Sequence, residues 1–250
     1  MKIYEELIQG TEEWLEVRRG VITASECGDW LAEPRRCLLT IPEIKRLLVS
    51  EDVDFGGSSK KSELEILIPN PQRFLAHTVK VKSAQLKLIY TKLAESTAPD
   101  EMQPWFGNWA TERGTKLEPV ARAEYEKLTG EAVEEVGFVL HKCGRLGCSP
   151  DGFVDNRQKL LEIKCPLPQT HIKYLHEKVL PNEYKIQCHH QMAVTGCRRL
   201  DFFSYCPRLK PLKISIDWDD FTERVLDGLL GTVDLFYEVS AELNSGGEAK

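Results

Sequence analysis

The run Gly147-Cys148-Ser149-Pro150-Asp151-Gly152-Phe153-Val154-Asp155, followed across the polar turn Asn156 to Lys159 by Leu160-Leu161-Glu162-Ile163-Lys164-Cys165-Pro166, decides how this chain is read. The second half alternates as a strand does, so Glu162 and Lys164 leave one face while Leu161 and Ile163 point the other way, into a core. Asp151 stands before a glycine, and the turn lets the chain fold back as a hairpin that carries Asp151 alongside Glu162. Two carboxylates and an ammonium then share one small space. Carboxylates that close repel unless a hard divalent cation lies between them, and Mg²⁺ accepts such a pair while keeping waters for substrate oxygens. Lys164 is placed to orient or deprotonate an attacking water. A plainer alternative exists for each half, since Asp-Gly is a common turn and an E-x-K triplet often marks a solvated strand face with a cross-paired charge. Joined at hairpin spacing and flanked by buried-type residues, the two halves favour a metal-dependent nuclease centre.

Hydrolysis of a phosphodiester needs an in-line water, a cation to polarise the non-bridging oxygen and stabilisation of the leaving 3′ oxygen. Two Mg²⁺ ions about 4 Å apart supply all three, with Mn²⁺ as a substitute. Asp151 is the expected bridging ligand and Glu162 a ligand of one ion. The backbone carbonyl of Ile163, between the two functional side chains, is a further candidate.

The 250-residue chain is long enough for a single α/β domain, and its hydrophobic share of 42% suits a folded core. No apolar run approaches the length of a membrane span, and the opening Met1-Lys2-Ile3-Tyr4-Glu5-Glu6 lacks a signal-peptide charge pattern. A cytoplasmic protein without membrane contact is expected. The net charge of −6 argues against coating nucleic acid by bulk electrostatics, so any DNA contact must be local. Arg18 with Arg19, Arg35 with Arg36, Lys60 with Lys61, the Lys80 to Lys92 segment and Arg198 with Arg199 are the basic patches, each of which alone reads as a solvated face. The eight cysteines are scattered without a C-x-x-C pair. Cys143 and Cys148 near His141 come nearest to a metal cluster, but their spacing is not a usual zinc spacing, and reduced thiols are the better reading.

Along the chain, Thr11 caps a helix that stops near Gly20, and Val21 to Ser25 is a short apolar element ending in small hydroxyl residues. A helix is expected from Pro42 to Leu48, then a polar mobile loop from Glu51 to Lys61 that orders only on DNA. Val79 to Leu93 has helical spacing with Lys80, Lys82, Lys87 and Lys92 on the more exposed positions. Glu112 to Leu128 reads as a helix ended by Gly130. Strands are expected over Ala132 to His141, Gly147 to Asp155, Leu160 to Lys164, Leu200 to Tyr205 and Leu212 to Ile216. Helices fill Pro168 to Leu180, the stretch capped by Asn182 and running through Val194, and Asp219 to Leu243. On the last of these Phe221, Val225, Leu229, Val233 and Phe236 form a core stripe.

These residues resemble the PD-(D/E)xK nuclease superfamily, and the surrounding sequence is similar to the phage lambda exonuclease or YqaJ-type viral recombinase family. Trp14 with Val17-Arg18-Arg19-Gly20-Val21-Ile22-Thr23-Ala24-Ser25, Arg113-Gly114-Thr115-Lys116-Leu117-Glu118-Pro119, the C-S-P-D-G and L-E-I-K-C-P runs and Gln187 carry the resemblance, in matching order. It covers the N-terminal thirty or so residues and the stretch from about Trp105 to about Pro207. It implies a restriction-endonuclease-like α/β core with a mixed central sheet flanked by helices, in one nuclease domain over residues 1–243. An unmatched insertion at about 37–103 and a frayed tail at 244–250 complete the expected plan.

The resemblance also implies an activity: a 5′→3′ exonuclease that degrades one strand of linear double-stranded DNA and leaves a 3′ overhang for a single-strand annealing partner. A ring-shaped homotrimer, and residence in a phage host's cytoplasm or in a nuclear or viral setting, follow from the same likeness. Glu118, from its sequence alone a surface acid beside Lys116 or Arg122, becomes a third acidic member of the metal site, and Gln187 a supporting residue. Arg18, Ser25 and Ser149 correspond to the family's pocket for the terminal 5′ phosphate, where a planar guanidinium fork suits phosphate oxygens. Read without the family, Arg18 could equally compensate Glu13 or Glu16, with Ser25 as a cap. Two other readings are a structure-selective or restriction-like endonuclease, because one catalytic triplet serves both modes, and a DNA-binding recombination factor with vestigial acids.

Overall fold

The computed structural model describes residues 1–32, 36–37, 39–69, 75–76, 79–102 and 109–245. Arg35 of one basic patch, Trp105 at the start of the matching stretch, and residues 246–250 of the expected tail lie outside them. The chain forms two compact units, Met1–Ala32 with Leu86–Lys250, and Glu33–Gln85.

In the first unit the strands divide into two four-stranded mixed sheets. One contains β1 (Lys2–Tyr4), β2 (Ile22–Thr23), β5 (Phe138–Leu140) and β6 (Leu146–Cys148), in the order β1-β5-β6-β2, with only the β6–β2 pair parallel. The other contains β7 (Gly152–Val154), β8 (Lys159–Lys164), β9 (Arg199–Ser204) and β10 (Leu212–Asp217), in the order β10-β9-β8-β7, with only β8–β9 parallel. The helices are α1 (Glu12–Arg18), α5 (Trp109–Thr129), α6 (Pro168–Glu177), α7 (Asn182–Thr195) and α8 (Asp220–Ser245), with α4 (Val79–Thr97) belonging to this unit from Leu86 onward. The mixed α/β class expected from the sequence is the one observed.

Twice the chain passes from one sheet to the other where a single strand was expected. Over Ala132 to His141, Glu134 makes an isolated antiparallel bridge to Phe153 of β7, and strand pairing resumes only at Phe138 in the first sheet. Gly137 marks the crossing, because a Cβ there would collide with the Leu7 backbone while its N–H donates to Tyr4 O at 3.0 Å. The expected strand Gly147 to Asp155 is likewise cut at Ser149-Pro150-Asp151, since Pro150 has no N–H to give a ladder.

α7 packs against both sheets and is buried almost all round, from Ile186 through Val194. Its N-cap is Pro181 rather than Asn182, which is the first helical residue, and Gly196 at φ 75° closes the C-terminus. The main core joins α7 and α8 to β5, β6, β8 and β9 through residues such as Val139, Leu146, Leu160, Met192, Phe202, Val225 and Leu229. The α8 stripe is in place, with Val225, Leu229, Val233 and Phe236 buried and Phe221 packed at the margin. A second core lies on the opposite face of β8, where Leu161 and Ile163 meet Ala121 and Tyr125 of α5 and Phe203 of β9. α5 holds Pro119 inside it, which removes one N–H from the helical ladder, and stops at Gly130, φ 75°. Among the described residues seven cysteines are free thiols, four of them buried.

The second unit has its own small core. α2 (Ile41–Ser50) and α3 (Lys61–Ile66) bury Ile44, Leu48, Leu64 and Ile68, and β3 (Arg36–Cys37) pairs with β4 (Leu75–Ala76). The α3 helix follows the polar loop where no element was expected.

Phe202 is fully buried on β9 and stacks on Tyr184 of α7 with ring centroids 5.4 Å apart. Phe202→Ala should lower the unfolding free energy by about 3–5 kcal/mol, measured by urea denaturation with an unchanged slope. A loss below about 1 kcal/mol would show that this contact does not join helix and sheet.

Candidate active site

The hairpin of β7 and β8 builds the centre. Its ladder runs Val154↔Lys159, Phe153↔Leu160 and Gly152↔Leu161. The connecting turn places Asp155, Asn156 and Arg157 at positive φ, a conformation that Asp and Asn tolerate and that Arg157 holds through ion pairs to Glu5 and Glu134. Beyond Gly152 the β7 chain leaves the ladder. Asp151 N–H still donates to Leu161 O at 3.1 Å, and its Oδ2 accepts from Ile163 N–H at 2.6 Å. The carboxylate thus takes the place of the next backbone acceptor, which fixes it beside β8. The N–H and C=O of one residue in a ladder point to the same side, so the Ile163 carbonyl faces this same edge.

Alternation along β8 sends Leu161 and Ile163 into the α5 core and Glu162 to the α7 side, where only 1% of it is exposed. A buried charge needs partners. Glu162 has an ion pair with Lys164, a hydrogen bond at 2.7 Å from Gln187 Nε2 to Oε1, and another at 2.6 Å from Gln191 Nε2 to Oε2. Gln187 and Gln191 are four apart on α7, so both amides reach one carboxylate. Lys164 Nζ also lies 5.1 Å over the Tyr184 ring. Tyr184 precedes Gln187 by three residues, a helical spacing that could have marked it in the sequence.

Burial pushes the Asp151 carboxyl well above the usual carboxylate range, and the charges of Glu162 and Glu118 add to this against Lys164 and the Ile163 N–H. Burial works against the Lys164 ammonium, but Glu162 and Asp151 outweigh it and raise its pKa. Lys164 is therefore protonated and a donor here. Glu118 is half-buried on α5 and accepts from Arg122 at 2.8 Å, as its sequence neighbours suggested. Burial raises its carboxyl despite Arg122, and its charge still bears on Asp151.

Among the described residues no three His, Cys, Asp or Glu side chains form a ready-made metal cluster, the His141, Cys143 and Cys148 group included. The donor chemistry of the hairpin nevertheless fits a hard cation. Its groups are oxygen donors, two carboxylates resist sharing the space without added positive charge, and the buried Gln191 Oε1 has no hydrogen-bond donor. Turning that amide over would set its oxygen against Glu162, so the orphan is not a labelling matter.

A second cluster gathers at the other end of the crossing segment. Arg18 Nη1 donates to Ser149 Oγ at 3.4 Å and Nη2 to Thr23 Oγ1 at 3.3 Å, while the guanidinium lies 3.8 Å over the Trp14 ring. Ser149 Oγ donates to Gly137 O at 2.9 Å and accepts from Trp14 Nε1 at 3.1 Å. The structure thus brings Arg18 and Ser149 together, whereas Ser25 stands exposed on the 3-10 turn Ala24–Glu26, two residues beyond Thr23. Trp14 entered the sequence reading only as a matching position and Thr23 only as part of a run. The spacing of Trp14 four residues before Arg18 on α1 could have marked that contact, whereas nothing local marked Thr23 as a partner of Arg18.

Residues 73–198 match the profile of the YqaJ-like viral recombinase domain. Among solved structures the chain is similar to an alkaline exonuclease, LHK-Exo, from Laribacter hongkongensis, with 28% identity over 94% of this chain and 99% of that one and a TM-score of 0.58. LHK-Exo in complex with dAMP matches at 27% identity over the same shares, 94% and 99%, with a TM-score of 0.57. A phage-related exonuclease from Haemophilus somnus 129PT shares the fold at 15% identity, over 76% of this chain and 92% of that one, with a TM-score of 0.52. No curated protein sequence matches the chain. The restriction-endonuclease-like fold class that the resemblance implied is the one found.

Because the folded state holds the Asp151 proton more tightly than the unfolded chain does, this group's contribution to stability is complete below the ordinary carboxyl pKa of about 4 and is lost as pH rises through the folded value. Asp151→Asn should therefore raise the melting temperature of chelator-treated protein by a few degrees at pH 8, with the gain vanishing toward pH 4. A variant less stable than wild type at pH 8 would contradict the uncompensated carboxylate.

Proposed function

Because the chain belongs to the YqaJ-like viral recombinase domain family, we propose that it is a metal-dependent exonuclease that degrades one strand of linear double-stranded DNA 5′→3′ and leaves a 3′ overhang for strand annealing. The observation that carries this reading is the pairing of Asp151 and Glu162 across one hairpin with the Lys164 ammonium between strand and helix. The similarity to an alkaline exonuclease over 94% of the chain supports the exonuclease class. A nucleoside monophosphate such as the dAMP bound by LHK-Exo is the product class that this chemistry releases.

Asp151, Glu162 and the Ile163 carbonyl are the residues that would hold Mg²⁺, in one or two sites, with Glu118 as the further acid. The bound ions supply polarisation of the phosphate and lower the pKa of a water, and Mn²⁺ would do the same. Lys164, protonated beside Glu162, orients the attacking water through a donated hydrogen bond. Gln187 fixes the direction of the Glu162 carboxylate through its hydrogen bond to Oε1. Arg18 and Ser149, with Ser25 on the adjoining turn, receive the terminal 5′ phosphate, because a guanidinium fork and hydroxyls match its oxygens.

The resemblance to lambda-type exonucleases extends the proposal to a homotrimer, to a single-strand annealing partner and to action in the host cytoplasm. Among the described residues no helix is long and apolar enough to cross a membrane.

Linear 5′-phosphorylated duplex should release mononucleotides and leave single-stranded DNA with Mg²⁺ or Mn²⁺, a covalently closed circle should stay intact, and chelation should stop the reaction. Asp151→Asn, Glu162→Gln and Lys164→Met should each lose at least about a hundredfold in rate while still binding DNA. A nicked circle would instead assign an endonuclease, and activity that survives chelation or returns only with zinc would sink the site. Sedimentation should give three times the 28.5 kDa chain. A strict monomer would refute the ring.

A further inference from the structure

The helical pattern of α4 put Lys92 toward solvent, but the structure corrects this: Lys92 is 3% exposed. Its ammonium lies 2.5 Å from Glu26 Oε1 and 3.0 Å from each oxygen of Glu95. An ammonium this deep needs counter-charge, and here it has two carboxylates. Each carboxylate also accepts from the N-terminal segment. Glu26 Oε2 accepts from the Thr23 hydroxyl at 2.6 Å and from Thr23 N–H at 3.0 Å, and Glu95 Oε2 accepts from Gly20 N–H at 3.1 Å. Gly20 sits at φ 68° against this turn of α4, where a Cβ would meet Ser96 and, at 3.4 Å, the Lys92 carbonyl.

This network borders Arg18 directly. The Thr23 hydroxyl gives its proton to Glu26 and so turns a lone pair to Arg18 Nη2. Glu26 and Glu95 both act electrostatically on the Arg18 guanidinium, yet among the described residues no ion pair engages it. Its partners are neutral hydroxyl oxygens at 3.3 and 3.4 Å and the Trp14 face. Neutral, long hydrogen bonds are readily exchanged for charged phosphate oxygens, whereas a bidentate carboxylate would compete with them on equal terms.

We propose that Lys92 is a positioning residue for DNA-end recognition: by holding Glu26 and Glu95 it keeps the Arg18 fork out of a carboxylate pair and, through Thr23, aimed at the terminal phosphate. The inference rests on Arg18 and Ser149 forming that phosphate pocket. Without Lys92, Glu26 has no cation but Arg18 within the network, and the pocket fills itself with its own acid.

Equilibrium binding of the full-length protein to one blunt duplex, bearing either a 5′ phosphate or a 5′ hydroxyl, tests this by fluorescence anisotropy in chelator, where no strand is cut. The wild type should favour the phosphorylated end by about tenfold or more. Lys92→Met should bring the two Kd values together by weakening only the phosphorylated duplex. Lys92→Met with Glu26→Gln should restore most of the preference, because the freed carboxylate is gone, and Lys92→Arg should keep it. Thr23→Val, in which Lys92 still holds Glu26 but no hydroxyl aims Arg18, should also lose the preference, and it tests the Thr23 link if Lys92→Met does not fold. Equal weakening of both duplexes in Lys92→Met, or wild-type preference in a folded Lys92→Met, overturns the inference. Loss of preference in Arg18→Ala alongside its retention in Lys92→Met overturns it while sparing the pocket. A wild type that binds both ends alike removes the pocket and this inference together.

Discussion

The hydrogen bond from Ile163 N–H to the Asp151 carboxylate, 2.6 Å long, is the contact on which the rest of the centre depends. It forms because β7 begins only at Gly152 while β8 continues to Lys164, leaving backbone groups of β8 at an unpaired edge. Filling that edge with a carboxylate rather than a carbonyl places a charge where a neutral ladder would otherwise run. Glu162, the residue before Ile163, then shares the neighbourhood, and burial together with its charge raises the proton affinity of Asp151.

A buried carboxylate pair is a liability to folding unless something offsets it. The fold supplies Lys164 from the same strand and two amides from α7, a helix buried nearly all round and therefore rigidly held between the sheets. The same crossing segment that releases Asp151 from the ladder carries Ser149 two residues earlier, and Ser149 meets Arg18 and Trp14. One break in one strand therefore serves both clusters. Pro150 sits in the middle of it and makes a continuous ladder impossible.

The hairpin, the shared face of Glu162 and Lys164, and the helices α1, α5 and α8 were legible because each is written in local pattern: alternation, a turn, a cap or a stripe. The two sheet crossings were not. A run such as Ala132 to His141 has strand composition throughout, and nothing local says that Glu134 and Phe138 belong to different sheets. Asn182 has the right chemistry for a cap, but Pro181 occupies that position. Lys92 was hidden for a different reason: helical periodicity cannot foresee a partner such as Glu26, 66 positions away. The resemblance named Arg18 and Ser149 together, which the structure juxtaposes, and also Ser25, which faces solvent beside them. Trp14 on the Arg18 face of α1 and Tyr184 one turn before Gln187 were written in helical spacing, whereas the contact of Trp14 with Ser149, 135 positions away, was not.

The central claim is that the Asp151 and Glu162 pair is built for a divalent cation. Titration of metal-free protein with Mn²⁺, followed by the electron paramagnetic resonance of the free ion, measures this without DNA or turnover. Saturable uptake of one or two ions per chain in the wild type, lost in Glu162→Gln, is the expected result. No uptake by the wild type, or uptake undiminished in Glu162→Gln, would contradict it.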